Sequence, residues 1–319
     1  MSQTHRVTIG RSNIEIAPFA LGGNVFEWTA DRDASFDVLD AFTAGGGDFV
    51  DSPDMYSAWV AGHSGGESER IIGEWMASRG NRDQVVIATK VSRHPQFPGL
   101  SASNIAAAVD ASLERLGTDV IDLYYAHFDD PETPLEETVE AFSRLVEAGK
   151  IRAIGISNYT AERAAEWMRI VESGGWHAPV ALQPQYNLVD REFETNGLRE
   201  FAEDHQLAVF PYLSLAKGFL AGKYRDASQA SSPGASVHAE CALSFLDARG
   251  RAVLAELDAI AAAHGVEVAS VSLAWVRQQP TITAPLASAS RLEQVAPLLA
   301  SLSLTLSDDE IARLNAASR

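Results

Sequence analysis

The chain has 319 residues, of which 46% are hydrophobic, and it carries a formal net charge of −18 at pH 7. This length suits one large α/β domain or two ordinary ones, and the apolar content is enough for a full core. The acidic balance argues against a nucleic-acid partner, because a phosphate-binding surface needs clustered basic residues. No apolar stretch reaches the length that crosses a bilayer, so no membrane partner is expected.

Two further features bear on the compartment. The first six residues contain none of the apolar core of a signal peptide, so secretion by that route is not expected. Cys241 is the single cysteine, which excludes an intrachain disulfide framework and fits a reducing compartment. We therefore expect a cytoplasmic protein.

The predicted elements begin with a hairpin and continue as a repeat. Residues 6–17 alternate polar and apolar side chains around a Gly-Arg-Ser-Asn turn, which predicts a short β-hairpin. After it, short apolar runs alternate with amphipathic stretches, as is typical of βα units. Strands are predicted at 19–21, 49–51, 85–89, 121–126, 153–156, 181–183, 208–211 and 282–284. Helices are predicted between them at 34–44, 67–78, 103–116, 135–148, 161–172, 197–204 and 268–278.

Eight strands are the number that closes a parallel barrel. The sequence therefore predicts one (β/α)8 TIM barrel domain over residues 1–319, preceded by the N-terminal β-hairpin. Residues 217–240, rich in glycine, alanine and serine, are too long for an ordinary connection and are predicted to form a functional loop. Helices at 246–264 and 307–316, near the C-terminus, are extra to the eightfold pattern.

Polar side chains stand at or just beyond the ends of three predicted strands. In a parallel barrel the carboxyl ends of neighbouring strands converge on one cavity, however distant they are in sequence. The chain has four lysines against twenty-one arginines, so a lysine that ends a buried strand indicates a place where a compact ammonium matters. The residues of this set are Asp51, Tyr56, Lys90 and His127.

A carboxylate, a phenol, an ammonium and an imidazole in one cavity can transfer protons during carbonyl reduction. The tyrosine can donate to the developing alkoxide if the ammonium lowers its pKa from about 10 toward working pH. The carboxylate would keep the lysine charged, and a neutral imidazole would hold the substrate oxygen. Each residue alone fits an ordinary cap or core role, and it is the set of four in this order that indicates catalysis.

Six motifs keep their spacing from one end of the chain to the other: FVDSPDMY (49–56), IATKV (87–91), IDLYYAH (121–127), GKIRAIGISN (149–158), QPQYN (183–187) and GFLAGKY (218–224). Together they resemble the aldo-keto reductase family. The resemblance implies an eight-stranded barrel that binds NADP(H) without a Rossmann domain. It implies an oxidoreductase that interconverts an aldehyde or ketone and an alcohol, with Tyr56 as general acid/base helped by Lys90, Asp51 and His127.

The cofactor site is predicted at the end of the barrel. No Gly-x-Gly-x-x-Gly motif follows a strand, so a Rossmann site is not indicated. A barrel instead binds phosphate around the loops after its last strands, often at a helix N-terminus. Ser288, Ser290, Arg291 and Gln294 open such a helix and suit the 2′-phosphate of NADP(H). An ordinary N-cap with a solvated arginine is an equal alternative.

The resemblance also implies the remaining cofactor contacts. Ser157, Asn158 and Gln183 are expected to hold the carboxamide, and Tyr212 to stack on the nicotinamide. Many family members have a basic residue where this chain has Ser290 and a polar one where it has Leu298. That departure weakens the preference for NADP(H), although NAD(H) stays the less favoured cofactor. Asp51, Ser214, Leu215, Gly218 and Lys223 complete the predicted cofactor contacts.

The substrate is the least defined part of the site, and no metal is expected there. Phe26, Trp28 and Trp59 are candidate contacts near the barrel mouth and favour a flat or apolar carbonyl compound, although core roles fit them equally. Two other functions stay open. Lys90 could form a Schiff base in a barrel aldolase, or the chain could be a non-catalytic, cofactor-sensing subunit. The sequence fixes neither the physiological substrate nor the oligomeric state.

Overall fold

The structure is a computed structural model that describes residues 6–226, 228–229 and 237–319. It begins with the predicted hairpin, in which β1 (Val7–Thr8) pairs antiparallel with β2 (Glu15–Ile16). The apolar side chains of this segment, including Ile9 and Ile14, pack into one cluster with residues of the barrel strands. The hairpin therefore belongs to the barrel core.

Parallel strands form one curled sheet in the described part of the chain. In chain order they are β3 (Ala20–Gly22), β4 (Phe49–Asp51), β5 (Val86–Val91), β8 (Ile121–Ala126), β9 (Ile151–Ser157), β10 (Ala181–Gln183), β11 (Ala208–Val209) and β12 (Leu286–Ala287). The sheet has the order β11-β10-β9-β8-β5-β4-β3-β12. Between β5 and β8 the chain also forms a small antiparallel hairpin, β6 (Arg93–His94) and β7 (Phe97–Pro98), which the sequence patterns did not predict.

The sheet closes on itself through backbone hydrogen bonds after β11. The N–H groups of Thr283 and Leu286 donate to the carbonyls of Val209 and Pro211, at 2.9 and 3.0 Å. The eighth strand is β12, so the prediction of a strand at 282–284 is wrong, and Ile282 contributes only an isolated bridge to Val209. Pro285 has no N–H to donate, and it separates that bridge from the strand proper.

Helices alternate with the barrel strands as predicted, and their ends lie within two residues of the predicted ones. Side chains of Asp31, Ser101 and Thr160 accept hydrogen bonds from the first turn of the helices that they precede, which fixes where those helices begin. The helices are α1 (Arg32–Ala44), α2 (Glu67–Arg79), α3 (Ala102–Leu116), α4 (Leu135–Glu147), α5 (Ala161–Gly174) and α6 (Leu198–His205), followed after β11 by α7 (Ala239–Leu243), α8 (Ala248–His264), α9 (Val268–Arg277), α10 (Val295–Ser303) and α11 (Asp308–Ala317).

The predicted extra helices are α8 and α11, and they lie against each other. His264, the last residue of α8, makes a 2.8 Å hydrogen bond to Glu310 of α11. Ser307 and Glu310 form a capping box that starts α11. No single helix of the described residues is long and apolar enough to cross a membrane, although α8 and α9, bent by 101° at their junction, pass the same test of length and composition together.

Candidate active site

Three of the four predicted acid/base residues lie at the carboxyl ends of adjacent strands. Asp51 is the last residue of β4, Lys90 precedes the last residue of β5, and His127 follows β8. Asp51 and Lys90 are each 1% exposed, and the lysine ammonium donates a hydrogen bond to one carboxylate oxygen of the aspartate. The other oxygen accepts from the Gln183 amide at 3.0 Å. The ion pair is therefore a fixed part of the barrel interior.

The pKa of Lys90 reflects two opposed effects. Burial lowers the pKa of its ammonium, and the adjacent Asp51 carboxylate acts in the opposite direction through charge and hydrogen bonding. A buried charge needs such a partner, because removing one member leaves the other uncompensated. The hydrogen-bonded contact between Asp51 and Lys90 is the kind of pairing that holds a buried lysine in its charged form.

Tyr56 lies in the loop after β4, and its half-buried side chain lines the cavity described below. Burial, followed by the charges of Asp51 and Tyr212, raises the pKa of its phenol above the ordinary value. The prediction of a lowered pKa for this phenol is therefore wrong. The described residues show no hydrogen bond between the two groups, and desolvation of the phenolate dominates. The phenol stays protonated at neutral pH, which is the form that donates a proton.

His127 is held in its neutral form. Burial lowers the pKa of its imidazole well below the ordinary value, and the positive charges of Lys90 and Arg93 lower it further. Its Nδ1 atom is buried without a hydrogen-bond partner among the described residues. Its ring also lines the cavity, 4.7 Å from the ring centroid of Phe128. This is the form of the imidazole that is expected to hold the substrate oxygen by a hydrogen bond.

Asn158 connects several predicted cofactor contacts. Its side-chain amide donates to the His127 carbonyl at 2.9 Å, and its oxygen accepts from the Tyr212 hydroxyl at 2.8 Å. Its φ of +59° is left-handed, a conformation that asparagine tolerates better than most residues. The Ser157 hydroxyl donates to the carbonyl of Gln183 at 2.8 Å. Four residues predicted to hold the nicotinamide end thus lie together.

These side chains face one cavity of about 590 Å³. Neither Asp51 nor Lys90 lines it, and Asp51 accepts a hydrogen bond from Gln183, which does. The predicted catalytic and cofactor residues that line the cavity are Tyr56, His127, Ser157, Asn158, Gln183, Tyr212, Ser214, Leu215, Gly218, Lys223, Ser288, Ser290, Arg291 and Gln294.

Positive charges collect at one part of the cavity wall. Burial, together with the positive charge of Arg291, lowers the pKa of Lys223. Lys217 and Lys223 in turn lower the pKa of His238, after the larger effect of burial. Within the described chain the Lys223 ammonium has no carboxylate partner, whereas Arg291 pairs with Glu293 at 2.8 Å. Like charges gathered in a protein of net charge −18 indicate an anionic ligand, and the phosphates of a dinucleotide fit them.

The predicted phosphate helix and long loop both border this region. The backbone N–H of Ser290 donates a hydrogen bond to the side-chain oxygen of Gln294 at 2.8 Å. This turn directly precedes α10, which starts at Val295. Residues 216–221 form a 3-10 turn, in which Lys217 has a left-handed φ of +56°. Of the predicted 217–240 loop, residues 227 and 230–236 lie outside the described residues. Val237 and His238, at its far end, line the cavity.

The three predicted substrate contacts have different positions. Phe26 is 0% exposed within the hydrophobic core and does not line the cavity, so that prediction is wrong. Trp59 is 45% exposed, and its ring centroid lies 5.8 Å from that of Tyr56 and 5.1 Å from that of Trp28. Trp28 also makes an edge contact with His238 at 5.0 Å. The two tryptophans thus stand beside the cavity rather than in its wall.

Sequence reasoning missed a buried carboxyl group behind the site. Asp54 is 0% exposed, and neither of its side-chain oxygens has a hydrogen-bond partner among the described residues. Burial, with the nearby charge of Glu69, raises its pKa well above the ordinary value, despite an opposing effect of Arg115. The feature of the sequence that could have indicated this residue is its position between Asp51 and Tyr56 in the 49–56 motif. Cavity-lining residues that were also missed include Asn24, Val25, Phe128, Leu213 and Tyr224.

Comparison with known proteins identifies the family. A sequence model described as the aldo/keto reductase family matches residues 18–319. The chain belongs to the aldo/keto reductase family. It is similar to Protein tas of Escherichia coli, at 30% identity over 98% of this chain and 97% of that protein. It is also similar to norsolorinic acid reductase stcV of Emericella nidulans, at 30% identity over 96% and 79%, and to aldo-keto reductase YhdN of Bacillus subtilis, at 35% over 68% and 62%.

Membership of the aldo/keto reductase family establishes the general chemistry. Its members are oxidoreductases that interconvert carbonyl compounds and alcohols, generally with a nicotinamide cofactor and usually with NADPH. Small carbonyl compounds are the substrates that fit such an enzyme. The resemblance drawn from the motifs is therefore confirmed, as is the barrel that it implied.

Proposed function

We propose that this aldo/keto reductase is an NADP(H)-dependent enzyme that interconverts aldehydes or ketones with alcohols, as a single domain, with Tyr56 as its general acid/base. The observation that carries the proposal is that Tyr56 and His127 line the same cavity as the cationic residues Lys217, Lys223 and Arg291. Proton-transfer groups and a phosphate-binding region therefore share one space, as reduction by a dinucleotide requires.

The bound cofactor would supply the hydride, and the protein supplies binding and proton transfer. The neutral His127 imidazole donates a hydrogen bond to the carbonyl oxygen and so orients it. The protonated Tyr56 phenol gives its proton to that oxygen as negative charge develops on it. Lys90, kept charged by Asp51, is the cation proposed to offset part of the desolvation that raises the pKa of Tyr56, and so to stabilise the resulting phenolate. In the reverse direction the phenolate takes the proton of the alcohol.

The cavity residues suggest how the cofactor is held. Asn158 and Gln183 offer carboxamides toward the nicotinamide end, and Tyr212 offers an aromatic face for stacking. Ser214, Leu215, Gly218 and Lys223 would lie along the pyrophosphate, and Ser288, Ser290, Arg291 and Gln294 would receive the 2′-phosphate. Because Glu293 pairs with Arg291, NAD(H) remains a weaker second cofactor in this proposal.

Trp28 and Trp59 are the proposed substrate contacts. Trp59 is large, apolar and nearly half exposed, and its ring touches that of the proposed proton donor. Aromatic side chains bind flat ligands by stacking and edge contacts. A flat or apolar carbonyl compound is therefore the proposed substrate class.

The aldolase alternative is disfavoured by the position of Lys90. A Schiff-base lysine must present a free amine to the substrate. Lys90 is 1% exposed, is bound to Asp51 and does not line the cavity. We expect no borohydride trapping of a carbonyl substrate on this residue.

The test of the proposed function is the substitution Tyr56→Phe, with Tyr159→Phe as its control. Tyr159 is buried, its hydroxyl has no hydrogen-bond partner among the described residues, and it does not line the cavity. Because Tyr56→Phe removes the proton donor, we expect kcat for aldehyde reduction to fall by about 10²- to 10⁴-fold. NADPH affinity, followed by fluorescence titration, should change less than about twofold, since the lost hydroxyl is proposed to contact the carbonyl substrate and not the cofactor.

Two outcomes would contradict the proposal. If Tyr56→Phe and Tyr159→Phe lose activity equally, the phenol of Tyr56 has only a structural role. If the unmodified protein oxidises neither NADPH nor NADH with any of a broad panel of aldehydes and ketones, the non-catalytic, cofactor-sensing alternative replaces it.

A further inference from the structure

Arg93 is an exposed residue that places a positive charge on the ring of Phe128, a residue of the cavity wall next to His127. It starts strand β6, directly after the strand that carries Lys90. Its guanidinium carbon lies 4.3 Å from the centroid of the Phe128 ring, whose own centroid is 4.7 Å from that of the His127 ring. Phe128 and His127 both line the cavity. Arg93 is therefore one aromatic ring away from the imidazole that faces the reacting carbonyl.

This arginine is separate from the cations assigned to the cofactor. Lys217, Lys223 and Arg291 lie on the loops that follow β11 and β12, whereas Arg93 lies on the hairpin that follows β5. Its charge contributes to lowering the pKa of His127, after burial and Lys90. The hairpin thus places an independent positive charge on the side of the cavity where His127 stands.

The Arg93 side chain makes no ion pair and no hydrogen bond within the part of the chain that the structure describes. Most other arginines there pair with a carboxylate. The carboxylates nearest in sequence to Phe128 are engaged elsewhere. Asp129 accepts from Arg163 at 3.0 Å, and Asp130 accepts from the Leu100 N–H and the Thr133 hydroxyl, both at 2.7 Å. Arg93 contributes only the smallest of several effects that lower the pKa of Asp130.

We propose that Arg93, supported on the face of Phe128, is an anion-binding subsite that selects carbonyl substrates carrying a carboxylate. The proposal rests on the reductase function and narrows its substrate class to flat carbonyl compounds that also carry a carboxylate. A guanidinium binds a carboxylate through two parallel hydrogen bonds, and stacking on an aromatic ring limits its side-chain freedom. A protein of net charge −18 repels anionic substrates, so a local cation is what would retain them.

The experiment compares 4-carboxybenzaldehyde with its uncharged methyl ester as substrates. The variants are Arg93→Gln and Arg93→Met, of which the second keeps an apolar stem on Phe128. Arg169→Gln, at an exposed position of α5 that has no part in the cavity wall, makes the same change of charge and serves as the control. We expect the ratio of kcat/KM for acid over ester to fall about tenfold or more in both Arg93 variants, because both lose the charge-assisted hydrogen bonds to the carboxylate. The control should keep the wild-type ratio.

A second measurement does not depend on turnover. Terephthalate carries the same carboxylate but no reducible carbonyl, and calorimetric titration measures its binding directly. We expect its Kd to weaken about tenfold in Arg93→Gln and to stay unchanged in Arg169→Gln.

The outcomes separate this inference from the reductase function. Reduction of the ester with one acid-to-ester ratio in all variants would overturn the anion subsite and leave the reductase standing. No reduction of either aldehyde or of any other compound in the carbonyl panel would overturn the reductase function, and terephthalate binding would then decide on Arg93 alone. Equal terephthalate affinity in wild type and Arg93→Gln would reject the subsite in either case.

Discussion

At the scale of single residues, Asp54 puts a carboxyl group where its charge is disfavoured. Its pKa in the folded protein lies well above the ordinary value of 3.8, mainly because of burial. The folded chain therefore holds this proton at a pH where the unfolded chain has released it. The associated stability is fully present below pH 3.8 and is lost as the pH rises through the folded pKa, at about 1.4 kcal/mol for each pKa unit.

Asp54→Asn removes this titration. We expect the difference in thermal midpoint between the variant and the wild type to shift in favour of the variant as the pH is raised from 5 to 8. Asp119→Asn, at an exposed position, should show no such trend. If the difference in thermal midpoint between Asp54→Asn and the wild type stays constant across this pH range, Asp54 titrates as an ordinary carboxylate.

Three of the four predicted acid/base residues lie at strand ends, which can be recognised in the sequence from apolar runs. Asp51, Lys90 and His127 follow such runs, and the topology of a parallel barrel brings them together. The direction of the Tyr56 pKa shift was wrong, because desolvation depends on surroundings that no local pattern contains. Phe26 was misplaced for a related reason, since an aromatic residue in the first βα loop can fill the core or line a cavity.

At the scale of elements, the closure of the barrel depends on a side chain. The Thr283 hydroxyl accepts from the backbone N–H of Val209 at 2.9 Å, and the N–H of Thr283 donates to the carbonyl of the same valine. Val209 is 0% exposed. The hydroxyl therefore satisfies a backbone donor that has little access to water at the seam of the sheet.

Thr283→Val keeps the shape of the side chain and leaves that donor unpaired. We expect the free energy of unfolding to fall by about 1–3 kcal/mol, measured by urea denaturation. Thr195→Val, at an exposed site, is the matched control and should change it by less than about 0.5 kcal/mol. Equal losses in the two variants would show that the bond at the seam contributes nothing specific.

Helices were easier to predict than the end of the barrel. Periodic patterns located α3 and α5 in the sequence, and the structure shows that Ser101 and Thr160 cap the starts of these helices. The last strand was predicted at 282–284, whereas the structure has it after Pro285, in β12. The β6–β7 hairpin was missed because each of its strands has two residues, too few for any alternation to register. It is nevertheless the element that carries Arg93.

At the scale of the whole molecule, the net charge of −18 on 319 residues means that the acidic groups repel one another and so destabilise the folded chain. Salt screens exposed charges over about 10 Å at 0.1 M. Salt also weakens the exposed ion pairs, but each of these pairs contributes little to stability. We expect the thermal midpoint to rise by about 2–4 °C, which corresponds to roughly 1 kcal/mol, as NaCl is raised from 0.02 to 0.3 M at pH 7.5. KCl should act identically, and a midpoint that falls with either salt would mean that the ion pairs outweigh the repulsion.

The position of Asn158 has a consequence for attempts to re-engineer this protein. One carboxamide holds both the backbone of His127, where the carbonyl compound is expected, and the hydroxyl of Tyr212, where the nicotinamide is expected. Selection for a new substrate that shifts one of these groups will also move the other. Directed evolution at this face should therefore produce linked changes in coenzyme use, and a screen that saturates the coenzyme would overlook that trade-off.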